Sequence, residues 1–114
     1  MNSYCLIFKI KPSLESNDPH AVAVAYSAVY VFCDTEKEAE TRAIAHLNQR
    51  DWKILATETV SEMTPELLAL LDETQATVYQ EAMTNGISFV ILDAWPQFLG
   101  HLFSDLGENN SSQT

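Results

Sequence analysis

Residues 21–33 read Ala-Val-Ala-Val-Ala-Tyr-Ser-Ala-Val-Tyr-Val-Phe-Cys, and Asp34-Thr35-Glu36-Lys37-Glu38-Ala39-Glu40 follows at once. Neither parity of the first stretch is polar: Val22, Val24, Tyr26, Ala28, Tyr30 and Phe32 alternate with Ala21, Ala23, Ala25, Ser27, Val29, Val31 and Cys33. A strand with one wet face would alternate apolar with polar, so this pattern predicts a strand covered on both sides. The small parity suits a close-packed helix. The Tyr and Phe parity suits another sheet, a subunit or a folded-back segment. Its length predicts a bulge or bend near Ser27 and Ala28.

The next segment carries a helix start. Thr35 and Glu38 fit a capping box, and Glu36, Glu38 and Glu40 put negative charge at the positive end of the helix dipole. Ala39, Ala43, Ile44 and Leu47 recur at helical spacing and form the inward stripe. Arg42, His46 and Arg50 fall four apart on a neighbouring face. Such a row could serve an anionic ligand, but three basic residues on one helix are ordinarily a solvated face. A strand beginning at Trp52 completes a β-α-β unit.

Working outward, residues 4–11 form a first strand stopped by Pro12, and residues 12–20 a loop. His20 beside Asp18 lacks the further ligands that a metal site needs. The third strand, residues 52–63, begins apolar and becomes polar, with Glu58 and Glu62 on one parity; without burial, these two carboxylates read as a hydrated edge. Thr64-Pro65-Glu66 opens a second helix whose stripe is Leu68, Leu71, Gln75, Val78 and Ala82, and Asn85-Gly86 ends it. Residues 87–92, apolar on both parities, predict a central strand. Asp93 at its end has no nucleophile, phosphate loop or metal partner in sequence. Phe98, Leu99, Leu102, Phe103 and Leu106 then recur at helical spacing, which predicts a short C-terminal helix packed on its own domain, a twin or another protein. Residues 1–106 are therefore expected to form one domain and residues 107–114 a disordered tail.

Composition narrows the function classes. All six Lys and Arg lie in residues 1–53 with seven acids, whereas residues 54–114 hold nine acids and no Lys or Arg. Nucleic-acid phosphates are a disfavoured partner for such a chain. The acidic half suits a basic protein partner. No charge-free run reaches the ~20 residues of a membrane span, and no secretory pattern opens the chain, so a cytoplasmic location is expected. Cys5 and Cys33 read as buried thiols, with a bridge between the first two strands as the alternative. Glycines at 86, 100 and 107 build no phosphate loop, and no cofactor or metal is implied.

The element order β-β-α-β-α-β, carried by the strand into Cys33, the capped helix from Thr35, the Trp52 strand and the Leu-rich helix into residues 87–92, resembles small ferredoxin-like (α/β-plait) proteins. It departs from them in having one strand between the helices where that fold has a hairpin. The resemblance implies an α+β two-layer sandwich: a four-stranded mixed sheet, two main helices on one face and the short C-terminal helix. It also implies pairing of open sheet faces into a homodimer, which agrees with the apolar pattern read above, and that pattern marks Tyr26, Tyr30, Phe32, Phe98, Leu99, Leu102, Phe103 and Leu106 as expected partner-binding residues. The leading functional expectation is a non-enzymatic binding or regulatory module. The alternatives are an acidic inhibitor or immunity-type protein binding a basic partner, and a small enzyme pairing Cys33 with His46 or His20 with Asp93.

Overall fold

The computed structural model describes residues 1–12 and 24–92. Its elements run β1 (Asn2–Pro12), β2 (Ala25–Cys33), α1 (Glu36–Asn48), β3 (Trp52–Glu62), α2 (Pro65–Ala69), α3 (Glu73–Asn85) and β4 (Ile87–Leu92). The fold is α+β with an open four-stranded sheet, order β3-β1-β2-β4. Every neighbouring pair is antiparallel, so the expected mixed sheet is corrected. The β2-α1-β3 unit exists, but its two strands flank β1 instead of touching.

The helices do not share a face. Tyr4, Leu6, Phe8 and Ile10 of β1 with Val29, Val31 and Cys33 of β2 pack against Ala39, Ala43 and Leu47 of α1. Cys5, Ile7, Ala28 and Tyr30, on the opposite parity, pack against Leu67 of α2 and Val78 and Ala82 of α3. The result is three layers, helix, sheet and helices, in place of the expected two. The cause is the β3-to-β4 connection, which joins opposite edges of the sheet and crosses by the face that α1 leaves open. Both parities of β1 are buried because a central strand has a layer above and below it.

Three further expectations are corrected. The β1–β2 register is unbroken from Asn2↔Cys33 to Ile10↔Ala25, with no bulge at Ser27 or Ala28. The irregularities lie between β1 and β3, where Ile7↔Thr59 is followed by Phe8↔Thr57 and Lys9↔Ala56 by Ile10↔Ile54, leaving Glu58 and Leu55 as extra residues. Bulges belong at an edge, where they bend the strand and disrupt pairing. The second helix is two: α2 is capped by Thr64, and Asp72 accepts from the Gln75 N–H at 2.8 Å to start α3 afresh. Finally, β4 is an edge strand, not a central one; α3 covers it from one side only. The expected C-terminal helix and tail lie outside the described residues.

One corner ties four elements together. Gly86 ends α3 with φ +90° and its N–H returns to the Ala82 carbonyl. Its own carbonyl accepts from the Phe32 N–H of β2 at 2.9 Å, and the Phe32 carbonyl accepts from Arg42 Nη1 of α1 at 3.0 Å. A Cβ at position 86 would stand 3.2 Å from Arg42 Nη2. Gly86→Ala is therefore expected to lower stability by about 1 kcal/mol or more through the left-handed backbone alone, with the displaced guanidinium adding to it; urea unfolding measures the loss.

Candidate functional site

Three places in the described residues carry chemistry or unusual exposure: a buried hydroxyl-thiol-amide cluster, the β4 edge, and a groove between α1 and β4.

The buried cluster grows from register. Cys5 pairs with Tyr30 across β1 and β2, which puts the thiol against the phenol on the α3 side of the sheet. The Tyr30 hydroxyl donates to Gln75 Oε1 at 2.7 Å, and the Tyr30 ring meets Tyr79 edge-on with centroids 5.7 Å apart. Tyr79 shares a hydrogen bond with Ser3 at 3.0 Å and packs against Phe32. The Tyr30 and Phe32 parity is thus covered by α3 of the same chain. Tyr30 is fully buried, so a partner does not reach it, whereas Tyr26 and Phe32 are half-buried at the margin of the same cluster. Burial pushes the Cys5 thiol from 9.0 up to about 12, and burial likewise raises the Tyr30 phenol. A thiol held protonated is a poor nucleophile, and this cluster reads as a specificity lock for packing.

Cys33 lies on the other side of the sheet, pairs with Asn2, and its thiol donates to the Thr35 carbonyl at 3.3 Å. Cys5 and Cys33 face opposite layers, and both are free. Cys33 ends β2 just ahead of the N-terminus of α1, and His46 lies in the last turn of α1, roughly 15 Å along the axis from the helix start, so they do not form a nucleophile-base couple. Glu58 and Glu62 are both exposed. Among the described residues no group of three His, Cys, Asp or Glu side chains converges as a metal site would need. The residues Asp18, His20, Asp93, Phe98, Leu99, Leu102, Phe103 and Leu106 lie outside the described residues, and so does any pairing built on them.

The sheet's two edges differ. β3 carries two irregularities and the charges of Lys53, Glu58 and Glu62, devices that discourage another strand from pairing. β4, Ile-Ser-Phe-Val-Ile-Leu, has no charge, a continuous register with β2, and six half-buried residues. Among the described residues no strand pairs with its outer side.

The groove lies on the α1 side of β4, with a volume of about 230 Å³ and Arg42, Ala45, His46, Gln49 and Ile87 around it. The His46 ring meets Phe89 edge-on, with centroids 5.5 Å apart. Burial, then Arg50 and Arg42, hold the His46 imidazole below its usual value, which favours its neutral form. Arg42 and His46 of the basic row read as a solvated face thus border half-buried apolar residues of β4, while Arg50 lies past the end of α1; sequence spacing found the row, but only the strand order shows what its first two members face.

No helix among the described residues is long and apolar enough to cross a membrane. The chain matches no family model, no curated protein and no solved structure.

Two outcomes follow from the buried cluster. Tyr30→Phe strips Gln75 of its donor and should cost about 1–3 kcal/mol, while adding Gln75→Leu should recover part of that loss in a double-mutant cycle read by urea unfolding. Because the folded-state pKa of Cys5 is raised, the stability it contributes is complete below about 9 and is lost as pH rises towards 12. Unfolding free energy should therefore fall across that window by up to about 1.4 kcal/mol per pH unit for Cys5, with Tyr30 adding to the fall above about 10, and Cys5→Ala should remove the part of the fall that begins near 9.

Proposed function

We propose that this chain is a small acidic non-enzymatic binding module that acts as a homodimer, with two copies joined edge to edge through β4. The observation that carries this reading is the contrast between edges: β3 is bulged and charged, whereas β4 keeps an unbroken register with β2, carries no charge and is apolar at every position but Ser88. An unprotected edge in a soluble protein is a template for pairing. An antiparallel strand can pair with its own copy about a two-fold axis, which closes the assembly and extends the sheet to eight strands. The lack of charge in residues 87–92 matters because each copy carries −10 overall, and two charged edges of one sign would repel. Sheet faces are less suited to pairing, since α1 and α3 already pack on them.

A second reading, an acidic inhibitor of a basic protein, is favoured by one observation. Glu58, Glu62, Glu66, Asp72, Glu73 and Glu81 are all exposed, in a stretch of β3, α2 and α3 that holds no Lys or Arg beyond Lys53. Such a surface recruits cationic partners and keeps them in register.

Salt separates the two. Light scattering on the full chain should show a dimer that strengthens as salt screens the repulsion between copies, and the β4 amides should gain hydrogen-exchange protection as protein concentration rises. A monomer at every concentration and salt, or a dimer whose β4 amides stay unprotected, would sink the edge-pairing reading. Capture of a basic protein that weakens with added salt would favour the inhibitor.

A further inference from the structure

We propose that two copies pair along β4 in one register, with Phe89 of one copy opposite Phe89 of the other and the two-fold axis between them. This rests on the reading that β4 joins two copies, and it assigns the residues that face each other and the groups that bond.

The hydrogen-bond phase of β4 is fixed by its inner neighbour. The Phe32 N–H donates to the Gly86 carbonyl at 2.9 Å, and the register that pairs Val31 with Ile87 sets Phe32 opposite Gly86. Hydrogen-bonded and non-hydrogen-bonded pairs alternate along an antiparallel ladder, so Ser88, Val90 and Leu92 turn their N–H and C=O groups towards β2. The Ser27 hydroxyl, which donates to the Val90 carbonyl at 3.1 Å, agrees with this phase. Ile87, Phe89 and Ile91 therefore direct theirs away from β2, to the side where no strand lies among the described residues.

That alternation restricts how a copy can join. Two copies of β4 exchange hydrogen bonds only when outward residues stand opposite outward residues, which places the two-fold axis at a residue and never between two. An axis at Phe89 sets Ile87 opposite Ile91 on both sides of a Phe89 pair. Every outward N–H and C=O of residues 87–91 then finds a partner, about six hydrogen bonds in all. An axis at Ser88 or at Val90 leaves Ile91 or Ile87, respectively, without a partner inside the strand.

Side chains suit the same register. Ile87, Phe89 and Ile91 share the α1 side of the sheet and are half-buried, while α1 lies over β1, β2 and β3. With the axis at Phe89, Ile87 gains Ile91 of the other copy as a neighbour, and the two phenyl rings form a cross-strand aromatic pair. His46, edge-on to Phe89 at 5.5 Å, backs each ring from its own chain. On the α3 side Ser88 faces Val90, and residues 87–92 bring no charge into the interface. The backbone edge sets this register, and the side chains accept it.

Cysteine cross-linking of the full chain reads the register. Ser88→Cys and Val90→Cys are prepared separately and mixed in equal amounts. Position 88 of one copy then faces position 90 of the other as a non-hydrogen-bonded pair, with Cα atoms about 4.5 Å apart, within disulfide reach. Under mild oxidation the mixture should form a covalent heterodimer, identified by intact mass, in about tenfold excess over the covalent dimer that either variant forms alone. The unsubstituted chain, whose Cys5 and Cys33 are buried, should form none. In that same unsubstituted chain the Ile87, Phe89 and Ile91 amides should gain hydrogen-exchange protection as concentration rises, while those of Ser88, Val90 and Leu92 are protected throughout. Self-linking of Ser88→Cys or of Val90→Cys, or a dimer with protected β4 amides whose mixture does not link, would overturn the Phe89 register and leave edge pairing standing. A chain monomeric at every concentration, including the case in which its own residues 93–114 take the edge, would overturn both.

Discussion

The ladder between β1 and β2 is the constraint on which the rest of the molecule depends. Its nine residue pairs run without a break and put apolar side chains of both strands on both faces. A two-strand ribbon of that composition has no solvated side to present, so each face must find a layer. α1 supplies one with Ala39 and Ala43, whose small side chains bring the helix close, and α3 supplies the other with Val78 and Ala82. The outer strands follow: β3 arrives with α1 and β4 with α3, each taking the edge its helix leads to.

Within this frame polar groups fix the packing more than they strengthen it. The Tyr30 hydroxyl reaches Gln75 at 2.7 Å under full burial, and no buried side-chain polar atom among the described residues lacks a partner. A satisfied buried pair costs little relative to apolar packing, but any sliding of α3 would break it. The Gly86 corner acts likewise at the other end of α3, where backbone groups of Phe32 and Gly86 and the Arg42 guanidinium meet.

Local features of this fold were legible in the sequence, and relations across the sheet were not. The Thr35 cap is as the motif implied, with the Glu38 N–H donating to Thr35 Oγ at 3.1 Å, and the small parity of β2 lies under α1. The Tyr parity was read as needing a cover, which was right, but its cover is α3. Gln75 within an apolar stripe was the signal, since a buried amide needs a partner and a phenol supplies one. Asp72 followed by Gln75 was the signal for the break between α2 and α3. The position of β4 could not be read from periodicity: a strand with a helix over one face and the flank of another beside it looks as apolar as a central one. For the same reason the Arg42-His46-Arg50 row was visible as spacing, while its neighbour Phe89, some forty residues away in sequence, was not.

The path of the chain also sets an order of events. β1, β2, α1 and β3 are joined by connections between elements that are close in sequence, and they can assemble while residues beyond 63 are still loose. β4 must wait until the chain has crossed from one edge of the sheet to the other, so its pairing with β2, some sixty residues earlier, is closed late. The last strand to arrive is on general grounds among the first to leave, held by β2 on one side and α3 on one face. Its departure would take α3 with it and bring Cys5 and Tyr30 into water while the three-strand remainder persisted. The cysteine that is least reactive in the native state would then become a reporter of partial opening, labelled at the rate at which this edge detaches.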